Sequence, residues 1–210
     1  MWIVKGNKKI QTGQKEFNGL TKGFETVIVD LGTGDGGFVY KNALENPKSF
    51  YIGIDPAEKQ LKIYSKKAVR KKLKNVLFVV GSVEQIPNEL NGRADYVYIN
   101  FPWGTLLETV AKPIEENVNN IKGILKPEGQ LEIVFGYSLE LEPSETERLE
   151  LPEIDTDYIR AVVVPSFKIA GFELKDLEEF DNNEEKLETT WNRRVGKEKR
   201  EFFKIVFQEK

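Results

Sequence analysis

An apolar run that stops at an acid and breaks at once into glycines is the first chemistry-bearing feature of the chain: Thr26 to Gly36 reads TVIVDLGTGDG, and Gly37 follows. Glycines directly after a buried strand let the backbone approach a ligand that side chains would otherwise exclude. Gly32, Gly34 and Gly37 satisfy GxGxxG, in which helix N-terminal amides meet a pyrophosphate. Asp30 and Asp35, however, put negative charge where that pyrophosphate would sit. The loop thus suits S-adenosylmethionine, a cation, better than a nicotinamide dinucleotide, with a plain tight strand-to-helix turn as the ligand-free alternative. A second apolar run ends at Asp55, about twenty residues past the glycines, where α/β nucleoside binders place an acid to accept from ribose hydroxyls. Asp55-Pro56 is also a good helix start.

Two further stretches carry chemistry. At the end of the fourth apolar run stands Asn100-Phe101-Pro102-Trp103-Gly104, in which two aromatics flank a proline and offer flat surface to a base. The turn Gly81-Ser82-Val83-Glu84 ends the third run, well placed to edge an adenine ring. Positive charge gathers between Ala57 and Asn75, with eight bases against the single acid Glu58. At helical spacing Lys66, Lys67, Arg70 and Lys71 stand together away from the packing face, either a solvated face or a phosphate-binding one. Late in the chain Trp191 precedes five basic residues, Arg194 and Arg200 among them: a stacking plane beside phosphate-binding cations, or a core-capping Trp before a solvated turn.

The elements that must position these residues follow from periodicity. Strand-like runs alternate with helical stretches through Gly136, which requires a mostly parallel sheet covered on both faces, a Rossmann-like α/β architecture. A chain of 210 residues suits a single domain over 1–210. Residues 1–24 read as an appended N-terminal hairpin extension, because Gly6-Asn7 separates two short alternating runs. Lys126 to Gly129 reads as a turn. Residues 138–157 hold eight acids, with Arg148 as the only base, and read as an exposed, mobile or partner-facing insertion; 184–201 forms the Trp and basic loop.

Composition narrows the chemistry. With no cysteine and no histidine, thiolate metal sites, the usual zinc ligands and the usual general base are all missing, so no metal is expected. A net charge of -3 argues against a generic nucleic-acid binder, but it averages over segregated signs. No run approaches the length of a membrane span, so a cytoplasmic, monomeric protein without a membrane partner is expected.

Taken together, DLGTGDG with Tyr40, the run Tyr51 to Pro56, the basic Ser65-Lys66-Lys67 helix, FPWGTLLE from Phe101 to Glu108, and the late Trp191 before a basic loop and Phe202-Phe203 resemble the aminoglycoside-resistance 16S rRNA adenine-N1 methyltransferases of the Kam and Npm type. The resemblance implies a class I S-adenosylmethionine-dependent fold with a seven-stranded sheet. It also implies methylation of N1 of the decoding-site adenine, nucleotide 1408, on the 30S subunit. Under it Asp30, Gly32 and Gly34 line the methionine end of the cofactor, Asp55 with Pro56 takes the ribose, Ser82, Val83 and Glu84 edge the adenine, and Thr105 lies near the sulfonium. Trp103 and Trp191 would sandwich the target base beside Phe101 and Pro102, while Lys66, Lys67, Arg70, Lys71, Arg194 and Arg200 would hold rRNA phosphates. The chain departs from the pattern at Asn100, where an apolar residue is expected. Adenine N1 presents an in-plane lone pair at pH 7, so direct displacement needs no general base, in keeping with the absent histidine.

Two other readings fit the same residues. Asn100-Phe101-Pro102-Trp103 is similar to the Asn/Asp-Pro-Pro-aromatic loop of exocyclic amine methylases, and a tRNA guanine-N7 enzyme would also use this fold. A non-catalytic RNA- or ribosome-binding module built on a methyltransferase fold is the alternative from another class.

Overall fold

The computed structural model describes residues 1–136, 142–181 and 201–210. Its first elements are the hairpin β1 (Trp2–Lys5) and β2 (Lys8–Gln11), then α1 (Gln14–Thr21). An alternating series follows: β3 (Thr26–Leu31), α2 (Gly37–Glu45), β4 (Ser49–Asp55), α3 (Glu58–Lys71), β5 (Val76–Val80) and β6 (Ala94–Asn100). Helices α4 (Thr105–Ala111) and α5 (Glu115–Ile124) lead into β7 (Leu125–Phe135). Beyond it come α6 (Pro143–Leu149), the short α7 (Thr156–Tyr158), a π turn over Ile159–Val163, α8 (Val164–Ile169), β8 (Phe172–Asp181) and β9 (Glu201–Glu209).

The strands form one sheet in the order β2-β1-β5-β4-β3-β6-β7-β9-β8. Five neighbours, β5-β4-β3-β6-β7, are parallel, and β9 and β8 close one side antiparallel. These are the seven strands the sequence leads one to expect. The hairpin brings the total to nine, because β1 pairs antiparallel with edge strand β5 at Trp2↔Val80 and Ile3↔Val79. The N-terminal segment is therefore not the loose appendage its position suggests. Phe17 of α1 is fully buried, the Met1 ammonium pairs with Glu89, and Ser65 of α3 ties down the hairpin.

Burial on both faces explains the near-continuous apolar runs of the parallel strands. In β4, Phe50, Ile52 and Ile54 join the larger core under α1, α4, α5 and α8, while Tyr51 faces a second cluster with Val39, Leu61, Ala68 and Phe78 under α2 and α3. The expected turn at Lys126 to Gly129 appears as an interruption within β7: the β6 register jumps between Ala94 and Tyr96, and Glu128 takes φ 65°.

The acid-rich segment is more deeply integrated than an exposed insertion. Leu149 and Leu151 are buried in the main core, and Lys112 Nζ donates to the Leu149 carbonyl at 2.5 Å. Its acids dominate the composition, but two leucines anchor it. Residues 137–141 lie outside the described residues.

Topology places the site. From β3 the chain builds outward through β4 and β5, then returns to the other side of β3 with β6 and β7. The order reverses between β3 and β6, and a crevice opens there at the carboxyl ends of the strands. Antiparallel to β7, β9 starts at this same edge: Phe135 pairs with Phe203, and the carbonyl of Glu201 lies close against Gly136.

Candidate functional site

A cleft of about 990 Å³ occupies that crevice. Its walls include Asp30, Gly32, Gly34, Asp55, Pro56, Ser82, Val83, Glu84 and Thr105, so every residue expected to bind a cofactor lies on one cavity. Phe101 and Trp103 line its other side.

The glycine loop is shaped by two positions that only glycine satisfies well. Gly32 has φ 82°, and a Cβ there would lie 2.6 Å from Leu106 Cδ2. Gly36 has φ 81°, and its Cβ would lie 2.4 Å from the Phe78 ring. The backbone is further fixed by β4: Gly32 and Thr33 N–H groups donate to the Ile54 carbonyl at 2.9 and 3.0 Å, and Gly34 N–H donates to Asp55 Oδ2 at 2.8 Å. The other oxygen of Asp55 accepts from Ala57 N–H at 2.8 Å. The helix-start alternative read from the sequence is present, since this carboxylate organises the entry to α3; each oxygen can accept twice, so lone pairs remain on it. Burial pushes the Asp55 carboxyl up, and the Ala57 and Gly34 amides oppose that rise.

At the N-terminus of α2 the geometry discriminates between ligands. Asp35 Oδ1 accepts from Gly37 N–H at 2.9 Å, so the amide a pyrophosphate would need is already capped by a carboxylate. Asp30, 2% exposed, points further negative character into the cleft. Its pKa is raised to about 6, first by burial, with the Asp55 charge adding and the Thr33 and Asn100 side chains opposing. A buried carboxylate of this kind wants a cationic partner. Thr33 Oγ1, buried on the cleft wall, lies near enough to Asp30 to hold its carboxyl down but makes no hydrogen bond of good geometry among the described residues. A buried carboxylate with hydrogen-bonding neighbours but no cation beside it among the described residues fits the cationic amino-acid end of S-adenosylmethionine and does not fit a pyrophosphate.

Asn100, the departure from the family pattern, has a role in this arrangement. Its Nδ2 donates to Asp30 Oδ1 at 3.2 Å. Nothing in the linear spacing of Asp30 and Asn100 signals the bond, which needs β3 and β6 side by side. At the turn after β5, burial raises the Glu84 carboxyl, but hydrogen bonds from Ser82, its own backbone and Thr105 outweigh that and leave it low. This joins the third-strand turn to the start of α4.

Beyond β6 the two aromatics diverge. Trp103 is 49% exposed on the cleft, whereas Phe101 is largely buried against Val134, Phe180 and Phe202 and meets the Phe202 ring edge-on at 5.7 Å. The backbone decides this: Phe101 takes φ 50°, costly for a bulky residue, and its N–H donates to the Val134 carbonyl at 2.7 Å. Pro102 is buried and lies outside the cleft lining. Of the surface expected of Phe101, Pro102 and Trp103, the exposed ring is that of Trp103, while Phe101 reaches the cleft lining with little exposed area.

On α3, Lys66, Arg70 and Lys71 are exposed and form no ion pair with any described residue, while Lys67 lies 3.8 Å over the Tyr64 ring. Trp191, Arg194 and Arg200, with most of the 184–201 loop, lie outside the described residues. No group of three His, Cys, Asp or Glu among the described residues is arranged to hold a metal, and no described helix is long and apolar enough to cross a membrane.

Comparison with known proteins agrees with this geometry. The family model described as NpmA, 16S rRNA (adenine(1408)-N(1))-methyltransferase, matches residues 2–209. A 16S rRNA (adenine(1408)-N(1))-methyltransferase of Escherichia coli is 37% identical, over 98% of this chain and 97% of its own. The crystal structure of the aminoglycoside resistance methyltransferase NpmB1 superposes with a TM-score of 0.86 at 32% identity, covering 100% of both chains. A mutant 16S rRNA (adenine(1408)-N(1))-methyltransferase from Catenulisporales acidiphilia, solved with cosubstrate SAM, superposes at 0.89 with 25% identity over 100% of this chain and 96% of that one.

Proposed function

Since the chain belongs to the 16S rRNA (adenine(1408)-N(1))-methyltransferase family, we propose that it methylates N1 of adenine 1408 of 16S rRNA on the 30S subunit, using S-adenosylmethionine, and so confers aminoglycoside resistance. The observation that carries this reading is one cleft lined by the buried acid Asp30, by Asp55 and by the exposed ring of Trp103.

Asp30 and the glycine-loop backbone hold the amino-acid end of the cofactor, with Asn100 orienting the Asp30 carboxylate. Asp55 and Pro56 take the ribose, and Ser82, Val83 and Glu84 border the adenine. Thr105, the first residue of α4 and part of the cleft lining, stands near the sulfonium. When bound, the cofactor supplies an electrophilic methyl group on a sulfonium. No side chain has to accept a proton, because the attacking nitrogen uses its own lone pair. What the protein contributes is alignment, for which effective molarities correspond to about 7 to 11 kcal/mol of barrier.

Trp103 provides one stacking plane for the extruded base and Trp191 the other. The strands flanking the segment that carries Trp191 end at the same sheet edge as the cleft, and Phe202 touches Phe101 directly, which supports this pairing. Each base–aromatic stack is worth about 1 to 3 kcal/mol, enough to offset the few kcal/mol of unstacking. Lys66, Lys67, Arg70, Lys71, Arg194 and Arg200 hold phosphates. The test is transfer of a radiolabelled methyl group: label should enter isolated 30S subunits and not tRNA. Label in tRNA alone would replace this reading with the guanine-N7 one.

A further inference from the structure

The N-terminal hairpin carries a feature its own stability does not explain. Lys5 and Lys8 stand directly opposite each other across the β1–β2 pair, and both are exposed. Like charges in that relation are destabilising, and neither lysine has an acidic partner among the described residues. Residues 1–13 contain three lysines and no acid. The third, Lys9, lies 5.2 Å over the Trp2 ring and 3.5 Å from Glu58, the one acid of α3, which Lys62 also engages at 2.6 Å. No negative charge of α3 is therefore left to neutralise the hairpin tip.

The tip is also held in a fixed place. Ser65, 1% exposed, accepts from Gly6 N–H at 2.8 Å and donates to the Val4 carbonyl at 2.8 Å. Gly6 packs over Val69, since a Cβ there would lie 3.8 Å from Val69 Cγ2. Lys66 and Arg70 each directly follow one of these two anchor residues, about 100° further round α3, so the hairpin tip packs on the side of the helix next to its basic face. A single buried hydroxyl thus joins two cationic elements that the sequence separates by about sixty positions.

We propose that Lys5 and Lys8 form a second phosphate-binding element for the rRNA of the 30S subunit, held in register with the α3 basic face by Ser65. This rests on the proposed function, from which the partner is taken. An RNA backbone rewards paired cations at fixed spacing through counterion release, and a folded hairpin presents them already ordered.

The test uses the full-length protein and purified 30S subunits, with affinity measured across a salt series. In Lys5→Gln/Lys8→Gln the slope of log affinity against log salt should fall in magnitude by about one to two, given ~0.7 to 0.9 per phosphate contact. Lys5→Arg/Lys8→Arg should restore the slope, and thermal stabilisation by S-adenosylmethionine should be the same in all three proteins. Ser65→Ala, with all its lysines retained, should weaken binding while keeping that stabilisation. A wild-type slope in the glutamine variant, with normal 30S binding, would overturn the hairpin's role and leave the proposed function standing. Failure of the wild-type protein to bind 30S would overturn both.

Discussion

Replacing Asp30 by Asn should make the ligand-free protein more stable and abolish cofactor binding at once. Burial holds this carboxyl at a pKa of about 6, well above its ordinary range, in a residue only 2% exposed. Because the folded-state pKa is raised, the stability associated with Asp30 is fully present at acid pH below the ordinary carboxylate range and is lost as pH rises through about 6. At pH 7.5 the ionised group therefore costs the empty protein up to about 3 kcal/mol, at 1.36 kcal/mol per tenfold. Asn keeps an oxygen for the Asn100 amide and removes the charge. Asp30→Asn should raise the apo Tm by roughly 6 to 12 °C, which is the upper bound for a chain of this size. S-adenosylmethionine at a hundredfold over Kd should add about 2.7 kcal/mol to the wild type and nothing to the variant. The wild type should also release a proton on binding near pH 6, seen as a buffer-dependent calorimetric enthalpy, and should lose affinity below that pH. An apo Tm that falls on substitution, or binding without proton release at pH 6, would refute the claim that this acid is held for a cation.

The other predictions concern the loop, the stacking planes and the basic helix. Gly36→Ala should destabilise the protein by about 2 to 5 kcal/mol in denaturant unfolding, since φ 81° and the 2.4 Å approach to Phe78 both oppose a side chain. Trp103→Ala should leave Tm and cofactor binding nearly unchanged but lower kcat/KM for 30S methylation by about 5- to 150-fold, the worth of one stack. Trp191→Ala should likewise spare cofactor binding and lower methyl transfer by at least the same factor; turnover at the wild-type rate would remove the sandwich. Neutralising Lys66, Lys67, Arg70 and Lys71 together should weaken 30S binding and flatten its salt dependence by up to about three in slope. Unchanged binding would make that helix a solvated face.

The cleft was readable from the sequence because a parallel strand buried on both faces is a continuous apolar run, and each run ends in the residue it presents to the crevice: Asp30, Asp55, the turn at Gly81, and Asn100. What pairs across strands was not readable. The bond from Asn100 to Asp30 depends on β3 and β6 being neighbours, so the sequence showed Asn100 only as a misfit. Phe101 and Trp103 look alike beside a proline, and a single positive φ sends one into the core and leaves the other on the surface. The hairpin's attachment requires β1 to find β5, some seventy residues away, a non-local pairing that local patterns do not encode. In the acid-rich segment, composition outweighed the two leucines that bury it.

The most direct test of the central claim is reverse transcription of 16S rRNA from 30S subunits incubated with the protein and S-adenosylmethionine. Methylation at N1 blocks the pairing edge of adenine, so extension should stop one nucleotide short of position 1408, and only when both protein and cofactor are present. Full extension through that position, with methyl groups recovered elsewhere in the rRNA or in tRNA, would contradict it.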